Sequence, residues 1–113
     1  MFFPSMTGEA VFQAIASGRR RKLLDALLGG EQTVTELVDQ LDVTQGAVSQ
    51  QLAVLERAGL VAQRAEGRFR FYSLRPEPFA LVDQWLRGYR QFVAERLDVL
   101  GRVLDAMPNR RKP

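Results

Sequence analysis

Apolar residues recur along this chain at two spacings, and the switch between them marks out its elements. In "GEAVFQAIASG", Val11, Phe12, Ile15 and Ala16 share one helical face, and Gly18 is the expected stop. In "RRRKLLDALLGG", Leu23, Leu24, Leu27 and Leu28 form the next face, ended by Gly29 and Gly30. "TVTELVDQLDV" predicts a short helix capped by Thr33 or Thr35, with Leu37, Val38 and Leu41 turned inward. Thr44 then offers a hydroxyl cap to another helix. Its stripe is narrow: Val48, Leu52 and Leu55 stand at i, i+4 and i+7, and "RAGL" closes it with Gly59 at C′. Two helices joined tightly at Asp42–Val43 make a helix-turn-helix pattern.

The spacing then shortens to two. "LVAQRAEGRFRFYSL" holds β-prone runs over 60–64 and 68–74 around "AEG", where Gly67 can take a positive φ in the turn. A hairpin directly after a helix-turn-helix is the wing of a winged helix. Phe69 and Phe71 share one face of its second strand, and Arg70, Tyr72 and Leu74 the other; alternation alone assigns neither to the core. Pro76 and Pro78 mark a new start, since proline is tolerated in a first turn.

From Phe79 to Met107 there is no proline and helical spacing returns. Val82, Leu86, Tyr89, Val93, Leu100, Val103 and Met107 alternate steps of four and three, interrupted by Arg96, and Trp85, Phe92 and Val99 add a second row. Gly88 and Gly101 each weaken this helix by about 1 kcal/mol relative to alanine. At 1.5 Å per residue it would run about 43 Å, against a radius of gyration of about 13–14 Å for a globule of this size. Such a helix outruns its domain and leaves apolar surface that a second copy would cover. The expected homodimer interface is Phe12, Ile15, Val82, Trp85, Leu86, Tyr89, Phe92 and Val93. The alternative is a helix broken at Gly88 or Gly101 and folded back on its own core.

The expected fold is mainly α with a small β-hairpin (α+β): a winged helix-turn-helix of order α-α-α-α-β-β-α, dimeric through its terminal helices. It forms a single domain over 1–113, with a winged core at 8–75, a dimerisation helix at 76–107 and a basic tail at 108–113. Residues 1–7 read as a frayed lead-in.

Charge and composition narrow the function. The 113 residues carry 16 Lys plus Arg against 13 acids, a net charge of +3 and a pI near 9.9. All cations but Lys22 and Lys112 are arginine, which suits forked contacts to phosphate or guanine. There is no cysteine and no histidine. That removes disulfides, Cys/His zinc sites and catalysis by a thiolate or imidazole. The acids are scattered, so neither a metal site nor a carboxylate pair is expected, and no enzymatic activity or cofactor. "MFFPSMTGEAVF" lacks the basic and apolar regions of a signal peptide, and no stretch is long enough to span a membrane. A cytoplasmic location without membrane contact follows as the expectation. The run Arg19–Lys22 at a helix start reads as a solvated end or, alternatively, as a phosphate contact or the partner of an acidic neighbour.

"TQGAVSQQLAVL", residues 44–55, has no charged side chain in a charged protein. With Val48 inward, Gly46, Gln50 and Arg57 point almost directly outward, with Gln45 and Ser49 on the flank. Small residues at Gly46 and Ala47 let the backbone approach a groove, and a glutamine can pair two-fold with adenine. Reading bases needs no charge if cations elsewhere hold the phosphates. The candidate DNA-binding set is therefore Thr44, Gln45, Gly46, Ala47, Ser49 and Gln50 on the helix, Arg57 at its end, and Arg64, Arg68 and Arg70 on the wing.

The segment "TVTELVDQLDVTQGAVSQQLAVLERAGLVAQRAEGRFRFYSL" resembles the ArsR/SmtB family of winged-helix repressors, most specifically in "VSQQLAVLERAGLV". The likeness covers residues 8–75 well and the last helix loosely. It implies a homodimer joined by its terminal helices, the helix at 44–58 in the major groove of double-stranded DNA, and repression of its own or a neighbouring operon through a palindromic operator. Two departures stand out. Thr33 and Thr35 occupy the region where metal-sensing members carry cysteine, and the last helix has Asp83, Glu95, Asp98 and Asp105 but no histidine. The long aromatic last helix is similar instead to the metal-independent autorepressor branch, where a regulatory protein can be the signal. Gln51 also replaces the histidine of the commoner Ser-x-His-Leu form. The competing reading is a winged-helix interaction module whose main partner is a protein anchored by Trp85, Tyr89 and Phe92.

Overall fold

Residues 8–106 are described by a computed structural model of the chain; the expected lead-in at 1–7, Met107 and the basic tail lie outside the described residues. Helix α1 (Gly8–Ile15) buries Val11 and Ala14. Ala16 is exposed, and Phe12 and Ile15 are half-buried, so the apolar face is rotated from the expected one. Gly18 does not act as a stop. It opens α2 (Gly18–Ala26), because the Ser17 hydroxyl accepts from the Arg20 N–H and caps the new helix. The last carbonyls of α1 are satisfied by guanidinium groups instead. Arg20 donates to the Ala14 and Gln13 oxygens at 2.6 and 3.2 Å, and Arg21 to the Ile15 oxygen at 2.8 Å.

Leu23, Leu24 and Leu27 are buried, but Leu28 is 75 % exposed, against expectation. The chain tightens into a 3-10 turn over Leu27–Gly29, and three residues per turn carry Leu28 off the shared face. A short strand, β1 (Gln32–Thr33), follows. At two residues it is too brief to show a period, and the sequence pattern missed it.

Helix α3 (Val34–Leu41) starts at Thr33 rather than Thr35. Thr33 Oγ1 accepts from the Glu36 N–H at 3.2 Å while Glu36 Oε1 accepts from the Thr33 N–H at 2.9 Å, a complete capping box. Asp42 ends it in the left-handed region at φ 54°. Helix α4 (Gln45–Arg57) buries Val48, Leu52 and Leu55, as its spacing requires. Gly59, at φ 82°, donates to the Glu56 oxygen while Leu60 donates to that of Leu55, the two bonds of a Schellman ending.

Strands β2 (Val61–Glu66) and β3 (Phe69–Leu74) pair antiparallel from Val61↔Leu74 to Glu66↔Phe69. The two-residue loop between them has positive φ only at Gly67 (62°), the pattern of a II′ hairpin turn. β1 pairs with the outer side of β3, Gln32 opposite Tyr72, giving the order β1-β3-β2. The face question is settled by Tyr72, which is buried, whereas Phe69 is 55 % exposed. Leu37, Leu52, Leu55, Leu60, Val48 and Val61 form the centre of the core.

Helix α5 (Pro76–Ala106) starts at Pro76, where a new element was expected, and is unbroken through Gly88 and Gly101. The chain divides into two compact units, one ending at Val82 and one beginning at Asp83. In the first, Phe79, Leu81 and Val82 pack against the core. In the second, ion pairs run along the helix surface, Asp83 with Arg87 and Arg90, and Asp98 with Arg102. The architecture is a mostly helical winged helix-turn-helix with a small antiparallel sheet, its order as expected apart from the added β1.

Candidate nucleic-acid interface

The start of α4 is built by a cap and a stripe. Thr44 Oγ1 accepts from the Ala47 N–H at 3.1 Å, which fixes the first turn and leaves earlier N–H groups facing outward. Burial of Val48, Leu52 and Leu55 then sets the rotation of the helix. Gln45, Gly46, Ser49 and Gln50 are exposed, and Ala47 is half-buried beside them. Arg57 is exposed at the far end. The outward surface of the first turns is therefore short, polar and uncharged.

Gln51 is different. Its Oε1 accepts from Arg20 Nη1 at 3.0 Å, so it ties α4 to α2. The same guanidinium caps α1. One arginine thus joins three helices, a role no local pattern announces, because the Arg20–Gln51 pair spans 31 positions of sequence.

The wing arginines separate into distinct states. Arg64 makes a forked contact to Glu31, with Nη2 at 2.5 Å and Nε at 3.0 Å, and Nη1 meets Glu66 at 2.6 Å. Its guanidinium also lies over the Phe71 ring at 4.6 Å. The hydrogen bonds from Arg64, followed by its charge, hold the Glu31 carboxyl below its ordinary range, and the two carboxylates raise the Arg64 guanidinium further. Arg64 is compensated, then, and pins the wing to the segment before β1. Glu31 is a site residue that the sequence pattern does not reveal, since only the β1–β3 pairing brings it there. Arg70 Nη1 donates to Gln63 Oε1 at 2.8 Å, and Gln63 donates to Glu56 on α4 at 2.9 Å. Arg68, in the hairpin loop, is exposed. Tyr72 roots the hairpin, and burial, reinforced by the Glu56 charge, pushes its phenol up.

On α5, Trp85, Leu86, Tyr89, Phe92 and Val93 are all exposed, and Trp85 and Tyr89 form a tilted ring pair at 5.2 Å. Arg96 lies over the Phe92 ring at 4.7 Å. Leu97, Val99, Leu100 and Val103 continue the exposed apolar surface. Among the described residues, no group of three or more Cys, His, Asp or Glu could hold a metal ion. No described helix is long and apolar enough to cross a membrane.

Comparison with known proteins decides the family. Residues 17–63, from the α2 cap through the helix-turn-helix into β2, match the model of the bacterial regulatory proteins of the arsR family. The transcriptional repressor SdpR of Bacillus subtilis is 34% identical over 79 residues, covering 70% of this chain and 88% of that protein. The chain belongs to the ArsR family. The transcriptional activator HlyU of Vibrio cholerae is 44% identical over 82 residues, covering 72% of this chain and 76% of that protein. A crystal structure of another ArsR family transcriptional regulator superposes with a TM-score of 0.67 at 29% identity, over 82% of this chain and 95% of that one. The chain is thus a DNA-binding transcriptional regulator of the winged helix-turn-helix type, in a family of regulators rather than of enzymes.

Proposed function

We propose that the chain acts as a homodimer that represses its own or a neighbouring operon, reading a palindromic operator with the uncharged start of α4. The observation that carries this is the pairing of surfaces on that helix: Val48, Leu52 and Leu55 wholly inward, and Gln45, Gly46, Ser49 and Gln50 outward. In this reading Gln50 pairs two-fold with a base edge, while Gly46 and Ala47 let the backbone come close. Thr44 sets the first turn at the groove. Arg68 and Arg70 on the wing, with Arg57, hold phosphates. Arg64 takes a supporting role, because its charge is already met by Glu31 and Glu66.

Dimerisation is assigned to the apolar face of α5, Trp85, Leu86, Tyr89, Phe92 and Val93; Phe12, Ile15 and Val82, in the first unit, make a second candidate patch. Repression is taken from SdpR, of which the match covers 88%, against 76% of the activator HlyU. Its place of action is with the DNA in the cytoplasm.

Control of this regulator is independent of metal. The chain has no cysteine or histidine, and the Thr33 hydroxyl is committed to the α3 cap. A protein that docks on the exposed Trp85–Tyr89 pair is the second reading, favoured by that pair alone. Titrating binding to the DNA upstream of the gene against salt tests the main one. Log affinity should fall linearly with log salt, by about 0.9 for each phosphate neutralised, and be unchanged by zinc or by a chelator. Binding insensitive to salt would reject DNA reading, and release by zinc would reject metal independence.

A further inference from the structure

We propose that Arg19 and Lys22 form a phosphate subsite that grips the DNA backbone beside the first turn of α4; this rests on the DNA-reading role proposed for that helix. Arg19–Lys22 is an unbroken run of four cations at a helix start, where the helix dipole disfavours positive charge. The structure divides the run in two. Arg20 and Arg21 turn back to cap α1, and Arg20 also holds Gln51. Those two serve the fold.

Arg19 and Lys22 stand three apart, on one face of α2, and both are exposed. Among the described residues neither side chain makes a hydrogen bond or ion pair. They line an open cleft of about 410 Å³ together with Thr44 and Ala47, the start of the reading helix, and no carboxylate lines it. Two uncompensated cations therefore flank the surface assigned to the groove.

The rest of the lining identifies which phosphate. Val43, at the turn between α3 and α4, is 43 % exposed, and Leu41 is half-buried behind it. An inorganic phosphate would meet the cations and leave this apolar wall to water. A sugar-phosphate strand offers both an anionic oxygen and a deoxyribose carbon face. DNA lying along α4 supplies it without a separate binding event. The subsite thus adds two backbone contacts on the helix side of the site, opposite in kind to the base-reading face: they position and do not specify.

The test compares the wild type with the Arg19→Ala/Lys22→Ala double variant and with the charge-keeping Arg19→Lys/Lys22→Arg. Each is titrated on the upstream DNA and on a random-sequence duplex across salt, with circular dichroism as a check on folding. The double alanine variant should fold normally and lose affinity on the order of tenfold on both duplexes. Its log–log salt slope should be shallower by about 0.9 for each phosphate that is no longer neutralised. The charge-keeping variant should retain the wild-type slope. An unchanged slope in the double alanine variant overturns the subsite, while wild-type binding stands. Loss on the upstream DNA alone overturns it too, since that would mean base reading. A wild-type melting temperature raised by inorganic phosphate at constant ionic strength, with the DNA slope unaltered by the double substitution, reassigns the cations to a free anion. If the wild type itself binds no duplex, the role of α4 fails and the subsite falls with it.

Discussion

Helices α4 and α5 carry similar apolar spacing and meet opposite fates. α4 buries Val48, Leu52 and Leu55 within its own unit and presents a polar face. α5 leaves Trp85, Tyr89, Phe92, Leu97 and Val103 exposed over most of its length. Periodicity states that a face wants cover, and it does not say whose atoms provide it. Under the proposed function the difference also separates two tasks: α4 would mount a reading surface, and α5 would meet another chain.

Three substitutions probe that contrast. Leu52→Ala has the largest effect, because the side chain is fully buried. It should cost about 2–5 kcal/mol in urea denaturation, and a loss well under 1 kcal/mol would mean that α4 is not firmly mounted. Trp85→Ala should leave the secondary structure intact and weaken self-association by at least about thirtyfold in sedimentation equilibrium, the equivalent of about 2 kcal/mol at an interface anchor. Unchanged association would remove Trp85 from the interface. Gly88→Ala is the mildest. An added Cβ would meet nothing within 4 Å, so the helix should gain about 0.5–1 kcal/mol. Destabilisation instead would show that a partner packs closely against Gly88.

Much of this was legible in the sequence because it is local. The Thr44 cap, the Val48–Leu52–Leu55 stripe, the Gly59 ending and the Gly67 turn each depend on residues a few positions apart. The errors have local causes as well. Gly18 has the chemistry of a stop, but Ser17 next to it makes a better start, and the 3-10 turn at Leu27–Gly29 moved Leu28 outward. What the sequence could not disclose depends on topology. The Glu31–Arg64 contact spans 33 positions and the Arg20–Gln51 contact 31. These contacts sort arginines of one composition into structural and uncompensated groups, which no count of charge could do.

The neutral face of α4 is proposed to read base edges. Its most direct test is the ratio of affinities for the upstream DNA and a random duplex, measured by fluorescence anisotropy at one salt concentration for the wild type and Gln50→Ala. The account predicts that the variant loses about 1–3 kcal/mol on the upstream DNA and almost nothing on the random duplex, so the ratio collapses. An equal loss on both, or none on either, would contradict it.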